Sequence, residues 1–323
     1  MIQKSDLKLL FELDSNSRNS FSRIGKKIRM SQQLISYKIT QLEKKKIIGA
    51  FYPLIDYSRF GYLTFMVFFK VYYQNEARFY DLISRIKSHP HILRVMECDG
   101  TYDLIVTFAA KNPSSFNKML KKIVEENQKE LRGWMILTTI VEHHSSRNYL
   151  IAKEPEKDVV IGGDREELFV DDINKKIVHA LMNQHKKAVD IAKEAQITPK
   201  TAMGRLRWLE EKEIIKGYKT LFNLRPLDIA TNIILINYHN VSVKEEEEFR
   251  NFCKSNQHII EFTKVIGEWD VVLTVETMNR DDFRKLYLTM RERFEDIIAD
   301  YDNFRVFHVH KKQFLPLDAV EKV

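Results

Sequence analysis

The apolar residues of this chain keep two rhythms, and the change from one to the other happens twice. Near the N-terminus Leu9, Leu10 and Leu13 fall on one face of a helix. Ser20 is placed to cap a second helix that carries Ile24 and ends near Lys27. Ser31 can cap a third, in which Ile35, Ile39 and Leu42 recur at i, i+4 and i+7. A short strand, FYPLID at 51–56, closes this helical part. From Gly61 to Tyr73 the residues turn aromatic and β-branched, which predicts a strand. A helix from about Asn75 to Ser88 stops ahead of Pro90, and strands follow over 91–98 and 102–109, joined at the Asp99–Gly100 turn. A helix from about Pro113 to Asn127 and a strand over 134–143 complete the series.

Slid along itself until Ile39 falls on Leu206, the chain matches its own second half. Residues 39–51, with LEKKKIIGAF, meet 206–218, with LEEKEIIKGY, and CDGTYDLIVTF meets VIGEWDVVLTV. Ile177 and Leu181, then Ile191, then Ala202, Leu206 and Leu209 repeat the helical scheme, with Thr198 as N-cap and Pro199 at the first helical position. YKTLFN at 218–223 is the matching short strand. The second part of each copy has the order β-α-β-β-α-β, the split βαβ of a ferredoxin-like sandwich. The expected fold class is therefore α+β, a duplicated module of winged helix-turn-helix plus ferredoxin-like βαββαβ sandwich. The expected divisions are helical domains at 1–57 and 169–224 and sandwich domains at 58–144 and 225–315. A linker at 145–168, with Pro155, Gly162, Gly163 and several acidic residues, and a tail at 316–323 complete them.

Composition narrows the classes. At 323 residues, 44% hydrophobic and 30% charged, the chain is an ordinary globular mixture with more than one core. A net charge of +7 admits nucleic acid or an acidic membrane surface as partner and selects neither. Cys98 and Cys253 are too few for a disulfide scaffold or a four-cysteine zinc site, so a reducing, cytoplasmic setting is expected. The N-terminal stretch alternates charge with apolar residues and does not read as a targeting peptide. The longest apolar run, 62–73, contains Lys70 and falls short of the roughly 20 residues a membrane span needs.

The third helix of each copy has a polar face that begins early in the helix. In the first it offers Gln32, Gln33, Ser36, Tyr37, Lys38 and Thr40; in the second Lys200, Thr201, Met203, Arg205 and Arg207. Such side chains can bond base edges and phosphates of double-stranded DNA if the helix enters a major groove. Arg23, Lys26, Lys27 and Arg29, and Lys186, Lys187 and Lys193, surround them. A solvated helix face is the plain alternative for any one helix; the repeat of short helices, cap and cations favours DNA. Trp208 either contacts DNA or packs on the adjoining strand. His143, His144, His308 and His310 read as polar strand residues or as the start of a metal site, and neither metal nor other cofactor is expected. With no phosphate-cradling glycine loop, no Ser/His/Asp signature and no metalloprotease helix, an enzyme is not expected.

The run D-x-x-L-L-x-x-L from Asp6, then Ile24-Gly25-Lys26, then a Ser-capped helix ending L-E-x-K-x-I-I-x-A-F resembles the Lrp/AsnC family of transcription regulators. The resemblance covers nearly the whole chain, twice. It implies a DNA-binding helix-turn-helix joined to a small-molecule-responsive domain that pairs through its sheets. Effectors in that family are commonly amino acids, bound near a G-x-(Y/W)-D turn. Carried over by position, the effector candidates are Gly100, Thr101, Tyr102 and Asp103, with Gly267, Glu268, Trp269 and Asp270. Turn amides could hold a carboxylate and the aspartate an ammonium; alternatively the glycines only make tight hairpins and the aspartates only cap them. Two departures stand out. Arg29 and Gln196 occupy a turn position where glycine is usual, and the second helix reads R-L-R-W-L-E where the first reads K-I-T-Q-L-E, so unlike half-sites are expected. The double length implies either a pseudo-dimer within one chain or a homodimer with four reading helices, and half-sites about one helical turn or a multiple apart. A rival from another class is a sirohaem decarboxylase-like enzyme on a similar fold, which would gather basic and histidine residues around a carboxylated tetrapyrrole. A third is a regulator whose helices bind a partner protein.

Overall fold

The computed structural model describes residues 3–153 and 158–321; Pro155 of the expected linker lies outside them. Helices α1 (Lys4–Ser15), α2 (Phe21–Ile28) and α3 (Gln32–Lys44) lead into β1 (Ile48–Ile55). Ser20 and Ser31 are the caps of α2 and α3, their hydroxyls accepting from the Arg23 and Leu34 amides. The first sandwich follows as β2 (Leu63–Val71), α4 (Glu76–Ser88), β3 (Ile92–Asp99), β4 (Leu104–Ala110), α5 (Pro113–Glu126) and β5 (Leu131–His144). After a four-residue strand β6 (Val159–Gly162), the scheme recurs in α6 (Asp172–Met182), α7 (Ala188–Glu194), α8 (Pro199–Glu211) and β7 (Ile215–Phe222). Then come β8 (Ala230–Tyr238), α9 (Val243–Ser255), β9 (Ile259–Ile266), β10 (Val271–Thr277), α10 (Arg280–Arg293), β11 (Ile298–Lys312) and α11 (Asp318–Glu321). None of these helices is long and apolar enough to cross a membrane.

Each sandwich sheet is ordered β5-β2-β4-β3 or β11-β8-β10-β9, in the same register: Phe65 opposes Thr138, and Asn232 opposes Arg305. A four-stranded sheet leaves two edges exposed to unwanted pairing. Here the edges meet each other. The last strand of each half is long, 14 residues in β5 and 15 in β11. Its first part pairs within its own sheet, and its second part pairs with the other half, β5 with β9 and β11 with β3. Eight strands therefore close into a ring. Met66, Phe68, Met96, Ile233, Leu235 and Phe304 fill its interior, while α4 and α5 cover one outer face through Leu82, Ile86, Phe116 and Leu120.

The helical units cross over. Strands β1 and β7 pair antiparallel, Phe51 opposite Thr220, so one ribbon joins the two units. The core of the first, with Leu9, Leu13, Ile24 and Ile35, continues into Phe222, Leu224, Ile229 and Ile260 of the second half. The core of the second, with Ile177, Ile191 and Leu206, continues into Leu54, Tyr57, Tyr62 and Leu93 of the first. Each helical unit thus rests on the other half's sandwich.

Arg94 and Glu261 occupy matching positions of the two copies and meet at 2.9 Å where the halves join, both nearly buried. Burial disfavours the Glu261 carboxylate, but Arg94 and Lys312 outweigh it and hold its pKa well below the usual range. In a symmetric pair of like halves this contact would set arginine against arginine. One chain carrying both halves can make it complementary. A second buried network ties the helical part to the ring: Arg147 bonds Glu276 through Nε at 2.8 Å and Asp14 through Nη1 at 2.5 Å, and Lys219 adds a bond to Asp14 at 3.1 Å.

Two expected segments are corrected here. The stretch 145–168 is no bare tether: Arg147, Tyr149 and Leu150 are buried, and β6 lies along β5 with His144 opposite Val159. Its Val159, Val160 and Ile161 form an apolar run that completes an edge, a signal hidden by the flanking glycines and acids. The tail likewise packs, with Pro316 and Val320 buried and α11 against α6. The Asp99–Gly100 hairpin is wider than a two-residue turn, closed by a bond from the Cys98 amide to the Asp103 carbonyl at 2.9 Å.

Candidate nucleic-acid interface and a cationic cavity

On α3 the helical period buries Ile35, Ile39 and Leu42 and turns Gln32, Gln33, Ser36, Tyr37 and Thr40 to solvent. On α8 it buries Ala202, Leu206 and Leu209 and exposes Lys200, Thr201, Met203 and Arg207. Two predicted contacts behave otherwise. Lys38 Nζ lies 2.6 Å from Asp6 and 3.2 Å from the Ser5 hydroxyl, and Arg205 Nη1 lies 2.5 Å from Asp171. These matching cations each pin a third helix to the start of the first helix of its unit. Arg23, Lys26, Arg29, Lys187 and Lys193 are exposed. Lys27 pairs with Glu12 at 2.7 Å, and Lys186 sits over the Phe51 ring, where burial pulls its pKa down to about 7. Trp208 packs against the apolar core of the second unit.

The turn ahead of each third helix keeps a left-handed residue without the glycine: φ is +59° at Arg29 and +57° at Gln196. Such a conformation costs an L-residue roughly 1–2 kcal/mol. Both residues thus take the left-handed conformation that glycine adopts without this strain.

The two G-x-(Y/W)-D turns sit where the halves meet. A Cβ on Gly100 would stand 2.8 Å from the Phe304 ring, and one on Gly267 would stand 2.8 Å from the Ile136 carbonyl and Leu137. Tyr102 packs edge-on against Phe68 and near Phe304, and Trp269 packs against the ring interior. Thr101 reaches Asp302 at 3.3 Å, and the Glu268 carbonyl accepts from Asn237 at 3.2 Å. Asp103 accepts the Val71 amide at 2.7 Å, and Asp270 the Tyr238 amide at 2.8 Å. Both aspartates therefore already satisfy strand ends.

Sequence reasoning missed a cavity of about 1060 Å³ in the second half, between the end of β7, the starts of β8 and α10, and β11. Seven cationic side chains line it against three carboxylates. Its base holds Arg94 and Glu261, with Arg147 and Glu276, all buried, and the partly buried Lys312; each is paired within this group. Glu276 and Asp14 hold the Arg147 pKa well above its usual value although burial opposes the charge. Around the mouth stand Lys46, Arg225, Arg280 and Arg305, exposed and, among the described residues, without a carboxylate within 4 Å. Phe222, Ile229, Ile260 and Phe283 give the walls apolar surface. The only sequence signal was four cations scattered over some 260 positions, which nothing linear connects.

The histidines are dispersed. His308 lines the cavity and meets the His310 ring at 4.4 Å, His310 bonds Glu97 at 3.0 Å, His143 bonds Asp158 at 2.6 Å, and His144 is buried beside Glu142 and Glu261. Among the described residues no three His, Cys, Asp or Glu side chains are gathered as a metal site.

Comparison with known proteins follows the same divisions. A winged helix-turn-helix DNA-binding family model matches residues 2–48. The regulator Ptr1 of Methanocaldococcus jannaschii is 25% identical over 120 residues, 37% of this chain and 80% of its own length. The leucine-responsive regulatory protein of Haemophilus influenzae is 28% identical over 120 residues, 36% of this chain and 72% of its own. Among solved structures, the sirohaem decarboxylase NirDL superposes over 97% of this chain and 94% of its own, with a TM-score of 0.60 at 12% identity, a likeness of fold. By sequence, the chain is similar to Lrp/AsnC-type transcription regulators and is about twice as long as they are.

Proposed function

We propose that this chain is a cytoplasmic, sequence-specific DNA-binding transcription regulator that reads a bipartite operator with two unlike helices of one chain. One observation carries the reading: α3 and α8 each bury one stripe and leave the early polar face unpartnered, while the β1–β7 ribbon holds both in one body. The Gln32 and Gln33 amides suit adenine edges, and Lys200 and Arg207 suit guanine edges or phosphates. Lys38 and Arg205 act through the helices they pin.

Fluorescence anisotropy on an operator selected from random duplexes tests this. Arg207→Ala should weaken binding about 10- to 100-fold and lower the salt slope by about one. Lys38→Ala should weaken binding with the slope kept. An affinity flat between low and moderate salt removes phosphate contact from the account. The amino-acid-like effector that the resemblance brings is less well supported at the two turns, because Asp103 and Asp270 are occupied by backbone amides. If the turns do respond to an amino acid, Asp103→Ala and Asp270→Ala will change that response while helical content stays intact.

A second reading, an enzyme like the sirohaem decarboxylases, is favoured by the fold likeness that runs through the whole chain. Sirohaem added to the purified protein distinguishes them: a shifted Soret band with mass loss from the tetrapyrrole supports the enzyme.

A further inference from the structure

We infer that the cavity of the second half is a binding site for an organic polyanion, a molecule with two or more phosphate or carboxylate groups on an apolar body. The assignment rests on charge and shape together. Arg225, Arg280 and Arg305 approach one opening from three separate elements, the β7–β8 connection, the start of α10 and β11. None is paired with a carboxylate among the described residues, although nearly all the buried cations of the molecule are. Unpaired guanidinium groups gathered in this way repel one another, and a bidentate acceptor relieves that repulsion. Lys46 adds a fourth charge from the end of the first helical unit. The base cannot supply the missing anion, because Glu261 and Glu276 are already bonded to Arg94, Lys312 and Arg147.

The volume points the same way. About 1060 Å³ is far more than an amino acid fills and lies at the upper end of the usual range for small-molecule sites. Phe222, Ile229 and Phe283 offer the body of the ligand an apolar wall. The matching place in the first half has lost both features. Ser58, Pro113 and Thr138 hold the positions that Arg225, Arg280 and Arg305 hold in the second copy, and Tyr62 stands for Ile229. The cations are thus specific to the open cleft.

Occupation would be felt by the DNA-reading part. Phe222, Ile229 and Ile260 line the cavity and also belong to the core that holds α1, α2 and α3. A ligand against them therefore biases the position of the first helical unit, and the coupling is reciprocal. Only this consequence depends on the regulator reading; the site does not.

The test uses the full chain without DNA. Bis-anilinonaphthalene sulfonate, two sulfonates on an aromatic body, serves as the fluorescent probe, with tripolyphosphate and tricarballylate as competitors. One probe per chain is expected, displaced by one of the competitors; which one displaces it separates a phosphate from a carboxylate ligand. Arg280→Gln with Arg305→Gln should weaken probe binding at least tenfold. Arg284→Gln with Lys285→Gln, which removes the same charge from the outer side of α10, should change it less than twofold. Equal loss in both double variants, or no saturable binding, overturns the site. Operator affinity is then read with and without the probe: an unchanged affinity with intact probe binding sinks the coupling alone.

Discussion

The two halves repeat the same strands in the same order, yet one cleft is filled and the other is open. In the first half the end of β5 carries β6, Ile161 is buried beside Tyr57 and Tyr62, and Arg165 reaches Asp56 at 3.3 Å. In the second half the end of β11 pairs only with β3, Phe307 and His308 are exposed, and a cavity takes the place of the missing strand. The connector from β5 to α6 lies along one cleft through β6, whereas the described residues after β11 pack through α11 against α6. Two folds can be identical in topology and differ in function because of what the joining segment covers.

The largest test of this unlike pairing is charge reversal where the halves meet. Glu261→Arg places two guanidinium groups together, leaves Lys312 unpaired, and should cost about 3–5 kcal/mol in urea unfolding, as expected when a buried pair loses one partner. Adding Arg94→Glu rebuilds the pair in the reverse sense and should return a large part of that loss. Rescue that fails would mean the surrounding Glu142, His144 and Lys312, not the pair itself, set the preference.

Acid should act on the same groups. Burial raises the pKa of Asp14, Glu142 and Glu261, but Lys219 and Arg147, His144 and Arg94, and Arg94 and Lys312 respectively reverse the effect, so all three titrate below their ordinary values. A carboxylate with a depressed folded pKa binds more protons when unfolded, so its stability is present above the ordinary range, about pH 4, and lost as pH falls through the folded value. Unfolding free energies in urea should fall steeply below about pH 4 through these three carboxylates, beneath a shallower rise with pH at higher values, where His89, His143, His310 and Lys186 are held below their ordinary pKa by burial. The slope of the acid limb is roughly 1.4 kcal/mol per pH step for each extra proton that the unfolded chain binds. Glu261→Gln should lower stability at pH 7 and flatten that acid limb; an unchanged limb would remove Glu261 from it.

Most of the fold was legible because its signals are local. Ser20, Ser31 and Thr198 are caps in the structure as in the sequence, and the change of period at Gly61 marks the start of the sandwich. What was not legible depends on partners far along the chain. Lys38 and Arg205 read as free cations until Asp6 and Asp171 are placed beside them. The glycines at 100 and 267 read as hairpin formers, whereas the opposite half's strands forbid a side chain there. The cavity needs β7, β8, α10 and β11 together, and β6 is a strand only because β5 has an edge to cover.

The smallest test compares one matching turn in the two clefts. Gly61 and Asp228 are both left-handed, with φ of +66° and +57°. Beside Gly61 stands the connector: a Cβ there would run into the Glu167 carboxylate. Asp228 instead lines the open cavity, and its side chain has room. A side chain at 61 thus meets both a left-handed backbone and the exposed Glu167 carboxylate, whereas at 228 only the backbone opposes it. Asp228→Gly should therefore gain about 0.5–1 kcal/mol, the relief of left-handed strain less the entropy glycine loses on folding. Gly61→Asp should cost more than about 1 kcal/mol, because the same strain is joined by a second carboxylate pressed against Glu167. Differential scanning calorimetry of both variants measures the difference. If Gly61→Asp costs no more than Asp228→Gly gains, the connector yields freely and the filled cleft is no tighter than the open one.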